Sequence, residues 1–253
     1  MSSTTADKKR IRLWAIFFWL AVWEMVARLI GQEILLVSPV LVLRRFLELA
    51  AGIEFWKAAW FSFFRIAGGF LLALLSGILL AVASTVFPPI KELAKPLMVT
   101  IKSIPVASFV ILLLIWIPSR NLSVVISFLM VWPIIYTNIL QGIENTDKQL
   151  LEMAQVFQLS AYRRIRYIYL SEVVPFFRTA CSVALGLCWK AGVAAEVIGI
   201  PEGSIGEKLY ESKIYLETTD LFAWTIAIIL LSVCFEKLFL WAADRLLERL
   251  TAG

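Results

Sequence analysis

Three charged residues lie within segments that are otherwise strongly apolar, and they are the first candidates for chemistry: Lys102, Lys190 and Glu196. A charge inside a bilayer costs several kcal/mol unless water or an opposite charge reaches it. Such residues therefore mark either a polar path between helices or an ion pair that joins them. The chain contains no histidine, which excludes histidine acid–base chemistry and histidine metal ligands.

Each of these charges has two interpretations. Lys190 lies near the middle of a predicted helix over 176–200, where it either lines a polar path or pairs with a carboxylate of another helix or of a second subunit. Lys102 lies one turn before Pro105 and either faces the path or extends to the cytoplasmic interface. Glu196, nearer the outer end of its helix, has a structural or a gating role. Because Lys190 and Glu196 are six positions apart, they do not share a helix face.

The sequence carries none of the common catalytic or nucleotide-binding motifs. It has no G-x-x-x-x-G-K-[ST] phosphate loop, no G-x-S-x-G and no H-E-x-x-H. The three cysteines have no C-x-x-C spacing, which predicts small core residues rather than a disulfide or a metal site. A membrane enzyme that uses only serine, lysine or glutamate stays open as an alternative.

The elements that must position these residues are membrane-spanning helices. The 253 residues are 60% hydrophobic, with a mean hydropathy of +0.84, which indicates a multi-pass membrane protein. The net charge of +5 is therefore interpreted as a signal of membrane topology rather than of nucleic-acid binding. Six spans are predicted, at 13–30, 60–86, 97–117, 122–141, 176–200 and 221–240.

The charges between the spans predict the topology. Basic residues at 8–12 and at 245–249 place both termini in the cytoplasm. Residues 37–51 are too few to span a bilayer and are predicted to form an amphipathic helix on the outer surface. Residues 202–220 are predicted to be an outer loop, and no cleavable signal peptide is expected at the N-terminus.

Small residues and one acid make further predictions about helix packing. Gly69, Ala73, Gly77 and Ala81 recur at every fourth position, which allows close approach of a neighbouring helix in lipid. Glu24 lies inside the first span and is expected to contact a neighbouring helix or the outer interface.

The longest polar interruption covers 145–175. Its Thr146-Asp147-Lys148-Gln149 start is typical of a helix N-terminus, and Ser160 can cap a second short helix. Three arginines follow Ser160 closely, at 163, 164 and 166. The segment is therefore predicted to be a helix–turn–helix beside the membrane, although an ordinary cytoplasmic loop whose arginines only fix topology has the same composition.

The spacing within this segment resembles the "EAA" loop of ABC importer permeases. That loop begins Glu-Ala-Ala and continues with a glycine and then a Leu-Pro pair. The matching positions here are Glu152, Ala154, Gln158, Leu170 and Pro175.

Three positions depart from the pattern: Met153 replaces an alanine, Gln158 the glycine and Ser171 the proline. Glycine suits a left-handed turn between two helices, so Gln158 costs about 1 kcal/mol if that turn is kept. Further matching residues extend the resemblance from about Ser38 to the C-terminus, to the branch of nitrate, sulfonate, taurine and thiamine-precursor permeases. They are Ile104-Pro105, Pro133-Ile134-Ile135-Tyr136, Gly142, Asp147, Trp189-Lys190 and Ala194-Ala195-Glu196-Val197-Ile198-Gly199.

The resemblance implies a fold and a set of site residues. The fold is an all-α integral membrane protein of the type I ABC importer permease class, with six transmembrane helices and a cytoplasmic helix–turn–helix coupling loop between helices 4 and 5. Ala154 is expected to face a groove on the ATPase. The implied coupling residues are Glu152, Ala154, Gln158, Ser160, Arg163, Arg164 and Leu170, and the candidates for the translocation pathway are Lys102, Pro105, Lys190 and Glu196.

The resemblance also implies partners. The chain is expected to be a permease subunit in the bacterial plasma membrane that pairs with a second copy, two ATP-binding subunits and an extracytoplasmic binding protein. ATP and Mg²⁺ belong to the ATPase, so no cofactor is expected in this chain. The solute is a small anion such as a sulfonate or nitrate, or a thiamine-precursor pyrimidine. The coupling subunit of a vitamin importer is a further alternative.

The implied division of the chain follows the spans. It has a tail (1–12), a first span with the outer segment (13–58), a five-helix core (59–243) that contains the coupling loop (145–175), and a second tail (244–253).

Overall fold

The computed structural model describes residues 13–252, and this part of the chain consists of helices and short connections without a strand. The predicted basic tail at 1–12 and Gly253 lie outside the described residues. The helices are α1 (Leu13–Ile30), α2 (Pro39–Ala50), α3 (Ile53–Val86), α4 (Pro88–Ser103), α5 (Val106–Leu113), α6 (Ser119–Glu144), α7 (Lys148–Val156), α8 (Ala161–Arg164), α9 (Leu170–Gly199), α10 (Ile205–Ile214) and α11 (Thr218–Ala252), with a π-helical turn (Ile165–Tyr169) between α8 and α9.

Long apolar helices dominate the described residues. Four of them are long and apolar enough to cross a membrane: α3, α6, the continuous helix Ala161–Gly199 and α11. The bent pair of α4 and α5 makes a fifth if it counts as one span, whereas α1 is not among these candidates. The all-helical membrane class is thus confirmed, and the count of six spans stays a prediction.

The stripe of small residues on α3 is a packing face, as its spacing predicts. Ala73 and Ala81 are completely buried. A β-carbon at Gly69 would collide with the backbone of Val124 and with Ser127 on α6, and one at Gly77 would lie 3.0 Å from Ile135. The absent side chains therefore let α3 and α6 approach closely, which is the main source of helix association in lipid.

An aromatic cluster joins α11 to the helices of the core. Trp189 on α9 is buried, and its ring lies 6.1 Å from Phe63 of α3 and 6.4 Å from Phe235 of α11. Phe70 of α3 contacts α11 as well, with 4.9 Å between its ring centroid and that of Phe239. The Trp189–Phe235 and Phe70–Phe239 pairs are edge-on and the Trp189–Phe63 pair is tilted. Together they join α3, α9 and α11 through apolar contacts.

The predicted third span starts at the wrong residue, and the interruption predicted at Lys102 and Pro105 is a sharp break between two helices. The helix begins at Pro88 rather than at residue 97, and the axes of α4 and α5 differ by 102° across a break at Ile104-Pro105. Ile104 has an extended conformation with ψ 127°. The ring of a following proline disfavours the helical conformation in the residue before it, which explains the break.

The segment at 37–51, predicted to lie on the outer surface, forms a helix that is bonded to α1 and α11. The predicted amphipathic helix at 37–51 is confirmed as α2, with Ser38 as its N-cap, and Ser38 Oγ donates to Glu24 at 2.5 Å. The bond from Ser38 confirms the expected contact of Glu24 with a neighbouring helix, and Glu24 also pairs with Arg28 of its own helix. Arg45 of α2 binds Asp220 at the start of α11, and this hydrogen bond raises the pKa of the arginine.

The predicted outer loop at 202–220 contains a helix, α10. Ser204 Oγ accepts from the backbone N–H of Glu207 at 3.0 Å, and the Glu207 carboxylate accepts from the N–H of Gly203 at 2.7 Å. This reciprocal capping box starts the helix. The sequence contains the Ser-x-x-Glu signature of this capping box, but the five acidic residues of 202–220 are also typical of a loop.

Candidate functional site

The polar segment after α6 forms a tight connection between two helices. Asp147 caps α7, accepting from the N–H of Gln149 at 2.8 Å. After α7 the chain turns at Gln158, whose φ of 49° is left-handed, and the N–H of Leu159 bonds the carbonyl of Ala154 at 2.9 Å. Ser160 then caps α8 through the N–H of Arg163. Gln158 therefore has the backbone geometry for which a glycine is suited.

The second helix of this segment is not short, which corrects the prediction. α8, the π-helical turn and α9 form one continuous helix, Ala161–Gly199, of 39 residues. The sequence has no glycine or proline between Ser160 and Val174, so nothing breaks the helix where the family pattern has its proline. Pro175 lies inside α9 without ending it.

The expectation that Ala154 faces a partner is wrong. Ala154 is 2% exposed and is the buried residue of α7. It lies on the face formed with the half-buried Leu150 and Leu151, where a small side chain permits close packing against the chain itself. The other face of α7 is the one that remains open to solvent.

That other face carries large apolar side chains that sequence reasoning missed. Val156 is 79% exposed and Phe157 70% exposed. The face continues across the turn, and it comprises Met153, Val156, Phe157, Tyr162 and Ile165. We call these five residues the apolar docking face. The signal for it was present, because α7 is apolar at more positions than one buried stripe needs.

The remaining predicted coupling residues surround this face at different depths. Glu152, Gln158, Ser160 and Arg163 are exposed. Arg164 and Leu170 are half-buried, and Arg164 Nε has no hydrogen-bond partner among the described residues. The structure thus leaves the first four exposed along α7, the turn and α8, and packs the last two partly against the chain.

Replacing Gln158 with glycine is expected to raise the free energy of unfolding by about 0.5–1 kcal/mol, because glycine adopts a positive φ without steric cost. Gln155 is an exposed residue of the same helix with a helical backbone. Gln155→Gly is the matched control and should lower stability by about 1 kcal/mol. Thermal unfolding of the detergent-solubilised chain measures both, and shifts of the same sign would contradict the left-handed turn.

Lys190 lies on the surface of the chain, nine residues before the C-terminal end of the long helix Ala161–Gly199. Its neighbour Trp189 is buried, whereas Lys190 is exposed and forms no ion pair with a carboxylate in the described part of the chain. Gly186, one turn earlier, has open space beside it. Glu24 bonds Arg28 and Glu196 bonds Ser62, and neither carboxylate bonds Lys190 in the described part of the chain.

Glu196 lies in the interior, apart from Lys190. Its side chain is completely buried, and Ser62 Oγ of α3 donates to Oε2 at 2.6 Å. Ser62 accepts in turn from the N–H of Ile205 at 3.0 Å, and the N–H of Gly206 lies 3.4 Å from the same carboxylate oxygen. The carboxylate thereby fixes the positive N-terminus of α10 to α3 and α9. This geometry favours the structural role of Glu196.

Lys102 and Pro105 lie at the break between α4 and α5, and both are exposed. Lys102 Nζ donates to Thr137 Oγ1 of α6 at 3.3 Å. The hydrogen bond turns the ammonium group toward α6 rather than along α4. The two predicted lysines of the pathway therefore lie on different helices, and each is accessible from outside the chain.

The described residues thus form a bundle of long apolar helices, with exposed apolar side chains on α7 and α8 and an exposed lysine toward the C-terminal end of the long helix. The chain belongs to the family of binding-protein-dependent transport system inner membrane components, whose model matches residues 69–251. It is therefore a multi-pass permease of the plasma membrane, and the proteins related to it are ABC permeases.

Three relatives show the range of this family. The chain is 23% identical over 210 residues to a candidate aliphatic sulfonates transport permease of Bacillus subtilis (strain 168), covering 82% of this chain and 75% of the relative. It is 25% identical to the taurine transport system permease of Escherichia coli (strain K12), covering 89% and 84%. It is also 25% identical to the formylaminopyrimidine transport permease of Halalkalibacterium halodurans, covering 73% and 74%.

Proposed function

We propose that the chain is the permease subunit of an ATP-driven importer that moves a small anion of the sulfonate type. The observation that carries this proposal is Lys190, an exposed ammonium group nine residues, or about 14 Å, before the C-terminal end of a membrane helix, with no carboxylate partner in the described residues. A cation in such a place favours an anion beside it, because charge interactions strengthen where water is scarce. Two of the three relatives described above are named for sulfonates or taurine.

A neutral pyrimidine is the second candidate solute, favoured by the relative named for formylaminopyrimidine. With such a solute Lys190 has no counter-charge to bind. It would instead pair with a carboxylate of another subunit. The two candidates therefore differ in what the loss of the ammonium group does.

A second copy of the chain is the proposed occupant of the open side of α9. Thr179, Val183 and Lys190 are exposed on that side, and nothing lies within 4 Å of a β-carbon placed on Gly186. Small and apolar residues with an open face on a membrane helix suit close packing of another helix. Two copies of Lys190 would then flank one path at the dimer axis.

The proposed site for the ATPase is the apolar docking face on α7 and the start of the long helix. An amphipathic helix that presents apolar side chains can lie in a groove on a soluble partner. The ATPase binds ATP and Mg²⁺ and hydrolyses the nucleotide. Both termini of this chain lie on the same side of the membrane as the ATPase. The binding protein delivers the solute to the opposite side, where α10 and the α2 helix lie.

Reconstitution tests the proposal directly. Proteoliposomes are prepared with this chain, its ATPase and its binding protein, and accumulation of labelled ethanesulfonate is compared with that of labelled formylaminopyrimidine. We expect uptake only with all three proteins and ATP, and a preference for ethanesulfonate. ATP-independent uptake, or uptake without the binding protein, would contradict the importer; preferential uptake of the pyrimidine would contradict the anion.

A further inference from the structure

A cavity of about 340 Å³ lies between α4 and α6, apart from Lys190 and from the docking face. Three lysines line it: Lys91, Lys95 and Lys102. They are four and seven positions apart on α4, which places them on one side of that helix. No acidic side chain lines the cavity. A cavity with this lining attracts a negative charge.

The lysines are only partly neutralised by the chain. Glu144 at the end of α6 forms an ion pair with Lys91. Lys95 is exposed and forms no ion pair with a carboxylate in the described residues, and Lys102 donates to the hydroxyl of Thr137. Two ammonium groups therefore remain available to a ligand. Hydrogen bonds from ammonium groups to anionic oxygens are stronger than those between neutral groups, so an oxyanion is a suitable ligand.

The other walls of the cavity are apolar. Met98 and Val99 of α4 and Leu140 of α6 line it, and the Tyr136 hydroxyl is occupied by Ser84 at 3.1 Å. A small hydrated inorganic anion would make no apolar contact with these walls. An anion that carries a hydrocarbon portion satisfies both the lysines and the walls.

We propose that this cavity binds the oxyanion group of an amphiphilic anion, with Lys95 and Lys102 holding the charge and Met98, Val99 and Leu140 contacting the hydrocarbon. The same chemistry comes from two sources, the head group of an anionic phospholipid or a soluble alkyl sulfonate. The ion pair between Lys91 and Glu144 places the site at the end of the bundle where α7 begins. Binding here is a property of this chain alone and does not depend on import by the complex.

Native mass spectrometry of the full-length permease in neutral detergent tests the proposal. The probes are dioleoylphosphatidylglycerol, octanesulfonate and the zwitterionic control dioleoylphosphatidylcholine. We expect Lys95→Gln to weaken phosphatidylglycerol or octanesulfonate binding by about tenfold, the effect of losing one charged contact, and Lys95→Arg to restore it. Lys213→Gln removes the charge of an exposed lysine on α10 and should leave binding unchanged.

The outcomes for Lys95→Gln distinguish the two sources of the anion. If only phosphatidylglycerol binding is weakened, the ligand is a lipid head group; if only octanesulfonate binding is weakened, the ligand is a soluble anion. If binding of both is weakened, the site recognises the chemistry that they share. Equal binding of both anions by wild type, Lys95→Gln and Lys213→Gln overturns the site. Because the assay contains no ATPase and no binding protein, its result is independent of whether the complex imports an anion.

Discussion

Lys190→Met should lower ATP-driven uptake by at least about tenfold while leaving the assembled complex as stable as the wild type. A charged contact to a solute contributes about 1.5–3 kcal/mol, which corresponds to a tenfold to hundredfold change. Stability should not change, because no carboxylate of the described chain depends on this lysine. Lys237→Met is the matched control, since Lys237 is also an exposed lysine of a long membrane helix.

Two measurements decide the role of Lys190: initial uptake rate in proteoliposomes and the unfolding midpoint of the purified complex. If Lys190 pairs with a carboxylate of the second copy, its loss leaves that carboxylate unpaired and costs about 3–5 kcal/mol of stability. A lower unfolding midpoint would therefore show that Lys190 forms an ion pair with the second copy and does not line the translocation pathway. Normal uptake together with normal stability would contradict both roles.

The second large effect is expected from Val156→Asp. Val156 is 79% exposed in the chain and lies at the centre of the apolar docking face. An aspartate there is solvated in the free permease but is buried without a partner in the complex, which costs about 2–3 kcal/mol and weakens ATPase binding by about a hundredfold. Co-purification of the ATPase with the variant, at matched expression, measures the loss.

Ala154→Asp is the informative comparison because Ala154 is 2% exposed. Its carboxylate would be buried within the chain itself, so the variant should unfold at lower temperature before any partner binds. Glu152→Lys, on an exposed position, should weaken ATPase binding without this loss of stability. If Val156→Asp retains the ATPase in full, the docking face lies elsewhere.

Composition and spacing predicted the helical class and the packing faces, because both depend on local patterns. The small-residue stripe on α3 is one example, since its period alone predicts a close contact. Pro105 in the sequence predicts an interruption of one span, but not a sharp bend between two helices. Its angle of 102° depends on how α5 packs beside α9, which no local pattern contains.

The interior of the site could not be predicted for the same reason. Glu196 and Ser62 are far apart in sequence, and their hydrogen bond at 2.6 Å exists only because α3 and α9 lie side by side. The direction of Ala154 is a similar case. Both faces of α7 carry apolar residues, so periodicity alone does not distinguish the face that packs on the chain from the face left for a partner.

The unbroken helix from Ala161 to Gly199 acts mechanically as a lever. Its 39 residues span about 58 Å at about 1.5 Å per residue, so a tilt of about 5° around its middle moves each end by roughly 2.5 Å. One end carries the docking face, and the other ends three residues beyond Glu196, which is bonded to α3 and α10. The π-helical turn near the docking face and Pro175 are irregular points along this rod, because each disturbs the regular hydrogen-bond ladder. If the docking face is displaced, the motion therefore reaches α10 along one continuous helix, which can bend at these two points.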